Sequence, residues 1–171
     1  MDRWLVLSGY MGAGKTSVGR RVASRLGCAF TDLDREIEAR AGMAIPEIFS
    51  RRGELWFRRT EETVVRELIA GEPAVLALGG GSLESAKTRG LLMRVADVVW
   101  LRTSVAVAWA RVEGSDRPLA GDRDRFARRA AAREERYREA AALEVDADGP
   151  VDEVAARVAA WAQRTATGPA R

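Results

Sequence analysis

Trp4-Leu5-Val6-Leu7-Ser8-Gly9-Tyr10-Met11-Gly12-Ala13-Gly14-Lys15-Thr16-Ser17 is the stretch on which the reading of this chain turns. Its four opening apolar residues make a short run of the kind found in a buried strand, ending at Ser8-Gly9. Downstream, Val18, Val22 and Leu26 fall at i, i+4 and i+8 on one helical face, which Gly27 closes. Between the two, Gly9 to Thr16 fits G-x-x-x-x-G-K-[ST], the pattern of a phosphate-binding loop. Each fixed position has a physical task. Glycines let backbone N–H groups turn inward around phosphate oxygens where a side chain would clash. Lys15 suits the β- and γ-phosphates, and the Thr16 hydroxyl suits Mg²⁺. The positive N-terminal end of the following helix adds to the same anion site.

Strand and helix keep alternating outward from this loop. Residues 28–33 read as a second strand, and 36–41 and 46–51 as short helices, with Pro46 fit for a first helical turn. Residues 54–70 form a longer helical candidate. Residues 74–78 are a buried-type strand running into Gly79-Gly80-Gly81. Further helices are expected over 84–93, 104–112, 125–142 and a last segment carrying Val154, Val158 and Trp161; strands are expected over 97–101 and 143–145. Such alternation, with near-continuous apolar strands, predicts an α/β protein of three layers, a parallel sheet covered by helices on both faces. No internal repeat or linker divides the chain, so one domain over 1–171 is expected. A polar, charged stretch over about 112–125, with Pro118 and two glycines, reads as a mobile lid, and the tail over about 165–171 as frayed.

Composition bounds the function classes. The 171 residues are 47% hydrophobic and 31% charged, with a net charge of +3, which is usual for a globular domain. No apolar run reaches the roughly 20 residues of a membrane span, and no secretory leader pattern opens the chain. A lone Cys28 cannot form an internal disulfide, and it reads as a small core hydrophobe. A cytoplasmic location without a membrane partner follows as the expectation. The absence of histidine excludes His bases and His metal ligands. Among the 28 basic residues only Lys15 and Lys87 are lysine. The many arginines alternate with Ala and Glu as on solvated helices, and no aromatic-rich signature points to a nucleic-acid partner.

Three more motifs bear on chemistry. In Thr31-Asp32-Leu33-Asp34, strand alternation would send both carboxylates to one side at the carboxyl end of a parallel strand, where ligands bind in this architecture. One could serve Mg²⁺ through water and the other an attacking hydroxyl; a helix cap is the plain alternative. Arg58 and Glu61 lie one helical turn apart. The carboxylate could hold a guanidinium in place for a substrate carboxylate, or the two could be a surface ion pair. The three glycines permit either close backbone approach to a ligand or a tight turn. Trp100, Trp109 and Trp161 read as packing residues; Phe57 reads as a pocket border, with Trp56 on another face.

Taken together in order and spacing, these motifs resemble the shikimate kinase family. The resemblance rests on Gly9 to Thr16, Asp32-x-Asp34, Ile48-Phe49 ahead of Gly53-Glu54 and Phe57-Arg58, and Gly79-Gly80-Gly81. It extends to Asp116-Arg117-Pro118-Leu119 in the lid and to Arg133-x-x-x-Tyr137. It runs from about Trp4 to Trp161.

The resemblance implies a P-loop kinase fold with five parallel strands in the order 2-3-1-4-5. It implies phosphorylation of the 3-hydroxyl of shikimate by Mg-ATP, giving shikimate 3-phosphate and ADP, and a monomer whose partner is the small molecule alone. It assigns Gly12, Ala13, Gly14, Lys15, Thr16 and Ser17 to the ATP phosphates, and Thr16 with Asp32 to Mg²⁺. Asp34, Arg58, Gly80 and Arg133 are assigned to shikimate. Lys15, Asp34 and Arg117 would be catalytic, with Arg117 closing over the phosphates and Arg111 at the adenine. The family commonly has a proline between the Arg and Tyr of its last motif. Here Glu134-Glu135-Arg136 intervenes, so Arg133 and Arg136 both remain candidates for the carboxylate.

Overall fold

The computed structural model describes residues 2–113 and 122–166. Its elements run in the order β1 (Trp4–Ser8), α1 (Lys15–Leu26), β2 (Phe30–Asp32), α2 (Leu33–Ala41), α3 (Ile45–Ile69) and β3 (Val75–Ala77). A 3₁₀ turn (Ser82–Glu84) follows, then α4 (Ala86–Val95), β4 (Ala96–Arg102), α5 (Val105–Val112), α6 (Arg123–Ala140), β5 (Leu143–Asp146) and α7 (Val151–Ala166). The sheet order is β2-β3-β1-β4-β5, and every pairing is parallel. This is the P-loop kinase architecture that the resemblance implied.

Strand alternation explains the layers. On β1, Trp4 and Val6 enter one apolar cluster and Leu5 and Leu7 the other; on β4, Val98 and Trp100 part from Val99 and Leu101 in the same way. Helices α1 and α7 cover the second cluster through Val18, Val22, Val154 and Val158. The first cluster lies under α2 to α6, through Ile37, Ile48, Phe57, Leu92, Val112 and Phe126. Fully burying one such side chain stabilises by about 1.5–3 kcal/mol. Exposed pairs such as Arg35–Glu38 contribute about 0–1 kcal/mol each. The two apolar layers therefore hold the fold.

Several local expectations change. The second strand is only Phe30–Asp32, because the Asp32 side chain accepts from the backbone N–H groups of Asp34 (3.1 Å) and Arg35 (3.3 Å) and starts α2 there. Asp34 therefore sits on a helix and not on a strand. The two helices expected over 46–51 and 54–70 are joined as α3 and kinked at Gly53 (φ 80°, ψ 164°), with Pro46 in the first turn as expected. Ser85 caps α4 through Thr88 N–H (3.3 Å), so helix proper starts two residues later than the expected 84. Val112 closes α5 and Arg123 opens α6 under an Asp122 cap, which removes both ends of the expected lid. Thr165 and Ala166 remain helical in α7 where fraying was expected. The rest of the lid, 114–121, and of the tail, 167–171, lies outside the described residues.

Candidate active site

The carboxyl ends of β1, β2 and β3 deliver the phosphate loop, Asp32 and the three glycines to one edge of the sheet. Connections from β1 to β2 and from β3 to β4 leave in opposite directions, which opens the ligand crevice of an open parallel sheet at this edge. Two clefts meet there. One, of about 370 Å³, is lined by Gly12, Ala13, Gly14, Lys15, Thr16 and Ser17, with Arg111 on its far side. The other, of about 450 Å³, is lined by Arg58, Glu61, Gly80 and Arg133 opposite Ile45, Pro46, Phe49 and Phe57. Thr16, Asp32 and Asp34 line both.

The loop has the backbone its glycines imply. Gly12 has φ +83°, and a Cβ there would run into the backbone of Ala108, so the loop can pack on α5 only with glycine at this point. Gly14, also at positive φ, precedes α1. Lys15 is 9% exposed, and its ammonium donates to the carbonyl oxygens of Gly9 (2.8 Å) and Tyr10 (3.0 Å). The charge is thus held over the loop by the loop itself. The Thr16 hydroxyl donates to Asp32 Oδ2 (2.5 Å), which leaves its oxygen lone pairs available to a cation. Asp32 is both the cap of α2 and the partner of Thr16, so capping the helix does not take it away from the phosphate loop.

These donors fit Mg²⁺ and a triphosphate. Among the described residues no group of three or more Cys, Asp or Glu could hold a metal alone. A hydroxyl beside one carboxylate matches a cation that takes most of its ligands from phosphates and water.

The second cleft has an apolar wall and a charged one. Phe49 and Phe57 pack with ring centroids 4.9 Å apart. Trp56, as expected, packs elsewhere on the core, with Arg52 over its ring. Beside them, with its guanidinium carbon 5.2 Å from the Phe57 ring centroid, Arg58 donates to Glu61 Oε2 (2.8 Å) and to Glu54 Oε1 (3.3 Å). Burial opposes the charge on Arg58, but Glu61 and Glu54 outweigh it and raise its pKa. Glu61 is only 3% exposed, and its other oxygen accepts from Ser82 Oγ (2.6 Å). Arg58–Glu61 is therefore a built-in pair and not a surface one. A Cβ on Gly81 would lie 2.6 Å from an Arg58 terminal nitrogen, so the third glycine serves close approach of that guanidinium.

Arg133 and Arg136 separate clearly. Arg133 is 4% exposed, lines the cleft and donates to Gly80 O (3.2 Å) and Glu84 Oε2 (2.6 Å). Arg136 is half-buried, does not line the cleft and donates to Ala132 O on its own helix. The Tyr137 hydroxyl donates to the same Gly80 carbonyl (2.5 Å), and burial pushes its pKa upward. Tyr10 is also raised by burial, against the lowering effect of Arg133, whose guanidinium carbon lies 5.4 Å from its ring centroid. Burial likewise raises the Cys28 thiol, which packs on the second cluster just before β2.

Arg111 lines the phosphate cleft, and its guanidinium donates to the carbonyls of Gly12 (3.1 Å), Ala147 (3.3 Å) and Asp148 (3.4 Å), bracing the phosphate loop against the β5–α7 connection. Arg117 lies outside the described residues, with Asp116, Pro118 and Leu119. Ser82, Glu84 and Phe126 were not anticipated. Phe126 packs edge-on against Tyr10 (4.7 Å) and Trp109 (5.3 Å), tying α6 to the loop and to α5. Its only sequence signal is a lone aromatic at the start of an arginine-rich helix.

A parallel sheet in the order β2-β3-β1-β4-β5 that ends in a phosphate loop, with a second polar cleft beside it, has the fold of the P-loop kinases. The shikimate kinase family model matches residues 11–163. This chain belongs to the shikimate kinase family. It is 46% identical to a shikimate kinase of Ruegeria pomeroyi over 120 residues, which are 70% of this chain and 62% of that protein. It is 44% identical to one of Nitrobacter winogradskyi over 154 residues, 88% of this chain and 72% of the relative. The matched part spans 62%, 67% and 57% of the length of the first three curated relatives. Among solved structures, shikimate kinase from Acinetobacter baumannii in complex with shikimate superposes with a TM-score of 0.92 at 33% identity, covering 97% of this chain and 96% of that one. A gluconokinase from Sinorhizobium meliloti shares the fold, at 19% identity and a TM-score of 0.60.

Proposed function

We propose that this chain is an ATP-dependent shikimate kinase that transfers the γ-phosphoryl group of ATP to the 3-hydroxyl of shikimate. The products are shikimate 3-phosphate and ADP, in the route to chorismate and the aromatic amino acids. The observation that carries this reading is the junction of the two clefts, where Thr16, Asp32 and Asp34 border both the phosphate loop and the pocket that Arg58 and Arg133 line. An acceptor hydroxyl and a terminal phosphate would meet only there.

Gly12, Ala13, Gly14, Lys15, Thr16 and Ser17 hold the ATP phosphates, and Thr16 with Asp32 holds Mg²⁺. Bound Mg-ATP supplies the transferable phosphoryl group and most of the neutralisation of its charge. The chain supplies position and a fixed field. Arg58 and Arg133 take the shikimate carboxylate, since a guanidinium's parallel N–H groups match two carboxylate oxygens. Gly80 contributes backbone, and Asp34 orients the hydroxyl and accepts its proton on a carboxylate oxygen. Arg117 closes over the phosphates from the lid, and Arg111 serves the nucleotide beside Gly12. The wall of Ile45, Pro46, Phe49 and Phe57 limits water, which would otherwise accept the phosphoryl group.

Both apolar clusters share one sheet, which supports a single domain over 1–171; the proposed kinase acts as a monomer. Among the described residues no helix is long and apolar enough to cross a membrane. A cytoplasmic site of action goes with the lone Cys28.

Coupled assay of ADP release with shikimate, with gluconate and without acceptor tests the reading. Release should depend on shikimate and on magnesium, with gluconate at background. Turnover of gluconate at a comparable rate, or none with shikimate, would refute it. Arg58→Ala should raise the KM for shikimate about a hundredfold while kcat changes by about threefold at most, because the lost charge-assisted contact is made before and during transfer alike. An unchanged KM would remove Arg58 from the carboxylate site.

A further inference from the structure

Among the arginines that line the acceptor cleft, Arg58 and Arg133 are the two assigned to the substrate carboxylate, and each has an internal carboxylate partner. Arg58 has Glu61, itself buried and fixed by Ser82. Arg133 has Glu84, which closes the 3₁₀ turn after the three glycines and meets an Arg133 terminal nitrogen at 2.6 Å. The two carboxylates differ in place. Glu61 lines the cleft, whereas Glu84 is not among the lining residues and its side chain is 44% exposed. Glu84 therefore grips Arg133 from outside the pocket.

The surroundings make that grip firm. The Glu84 N–H donates to Gly81 O (3.0 Å), and its own carbonyl accepts from Arg89 (3.3 Å). Arg89 pairs in turn with Glu139 (3.0 Å) on α6, the helix that carries Arg133. On the Arg133 side, Gly80 O and Glu84 take one N–H from each terminal nitrogen, while Nε is buried without a partner. Removing Glu84 would take away the charged partner of a guanidinium that is 4% exposed, leaving the Gly80 carbonyl and the Tyr10 ring beside it.

We propose that Glu84 is a positioning residue for the acceptor site, acting through Arg133. It turns the guanidinium so that the remaining N–H groups face the carboxylate of the substrate. The proposal rests on the reading that Arg133 takes that carboxylate. Two physical effects of Glu84 oppose each other. Its negative charge repels an anionic substrate, and its hydrogen bond orients the group that binds it. Orientation dominates, because Glu84 is solvent-screened while Arg133 is desolvated and must match two oxygens at once. The sign of the change in KM therefore separates the two.

The test is steady-state kinetics of Glu84→Ala, Glu84→Gln, Arg133→Lys and Glu84→Ala with Arg133→Lys in the full chain. Glu84→Ala should raise the KM for shikimate about five- to tenfold, with kcat and the KM for ATP within about twofold. Glu84→Gln, which keeps an acceptor oxygen without the charge, should restore most of the affinity. In the Arg133→Lys background, Glu84→Ala should add less than about twofold. An unchanged or lowered shikimate KM in Glu84→Ala, an equal rise in the KM for ATP, or fully multiplicative effects would each overturn the proposal. If Arg133→Lys raises the KM and Glu84→Ala does not, only the role of Glu84 falls. If Arg133→Lys is itself silent, the carboxylate assignment falls with it.

Discussion

Lys15→Ala should lower kcat by about a thousandfold or more, measured as shikimate-dependent ADP release, while the protein stays folded. The ammonium is nearly buried, and two carbonyl oxygens of its own loop hold it over the phosphate cleft. A fixed positive charge in a water-poor site acts on charge that moves during transfer, and one such group contributes about 10²–10³ in rate or more. The other described basic residue lining the phosphate cleft, Arg111, is engaged by the carbonyl groups of Gly12, Ala147 and Asp148. Alanine is a strong helix former at the first residue of α1, so the melting temperature should fall by only a few degrees. Full activity in a folded Lys15→Ala protein would refute the assigned chemistry.

Asp34→Asn should lower kcat by about 10²–10³ with the KM for ATP nearly unchanged. The substitution keeps shape and removes both the charge and the capacity to accept a proton, which is the range expected for loss of a positioned base. Asp34 stands at the meeting of the two clefts, and a Cβ built on Gly79 would lie 3.0 Å from its Oδ1. Its place in the first turn of α2 adds a small dipole contribution of about 0.3–1 kcal/mol, so a shift in melting temperature beyond roughly 4 °C would indicate structural damage. If kcat holds and only the shikimate KM rises, Asp34 binds the substrate without serving the transfer.

The phosphate loop was legible because all its determinants are local. The turn, the lysine and the hydroxyl lie within eight consecutive residues, between a strand and a helix that their own periodicity announces. Asp32 and Asp34 both border the two clefts, though not by the strand alternation that was expected to bring them there. Alternation along an extended strand was the premise, yet the Asp32 cap turns the chain helical at Leu33. Both carboxylates still border the clefts, because a helix starting at the strand's carboxyl end keeps its first turn at the same edge. Arg58 and Glu61 were legible as a pair one turn apart, but not their burial, which depends on Ser82 arriving from 21 residues away.

What the sequence by itself determined is the set of elements, the nucleotide loop and the chemical inventory of the acceptor pocket, because periodicity, caps and short motifs act between near neighbours. Only the tertiary structure put Arg133 in the lining of the second cleft and Arg136 outside it, tied Arg111 to the Gly12 carbonyl and brought Glu84 to Arg133 across 49 positions. Those choices depend on which face of α6 is buried against the glycine turn. Burial of that kind is settled when Phe126, Tyr137 and Trp100 pack together under the sheet, and no stretch of neighbouring residues encodes it.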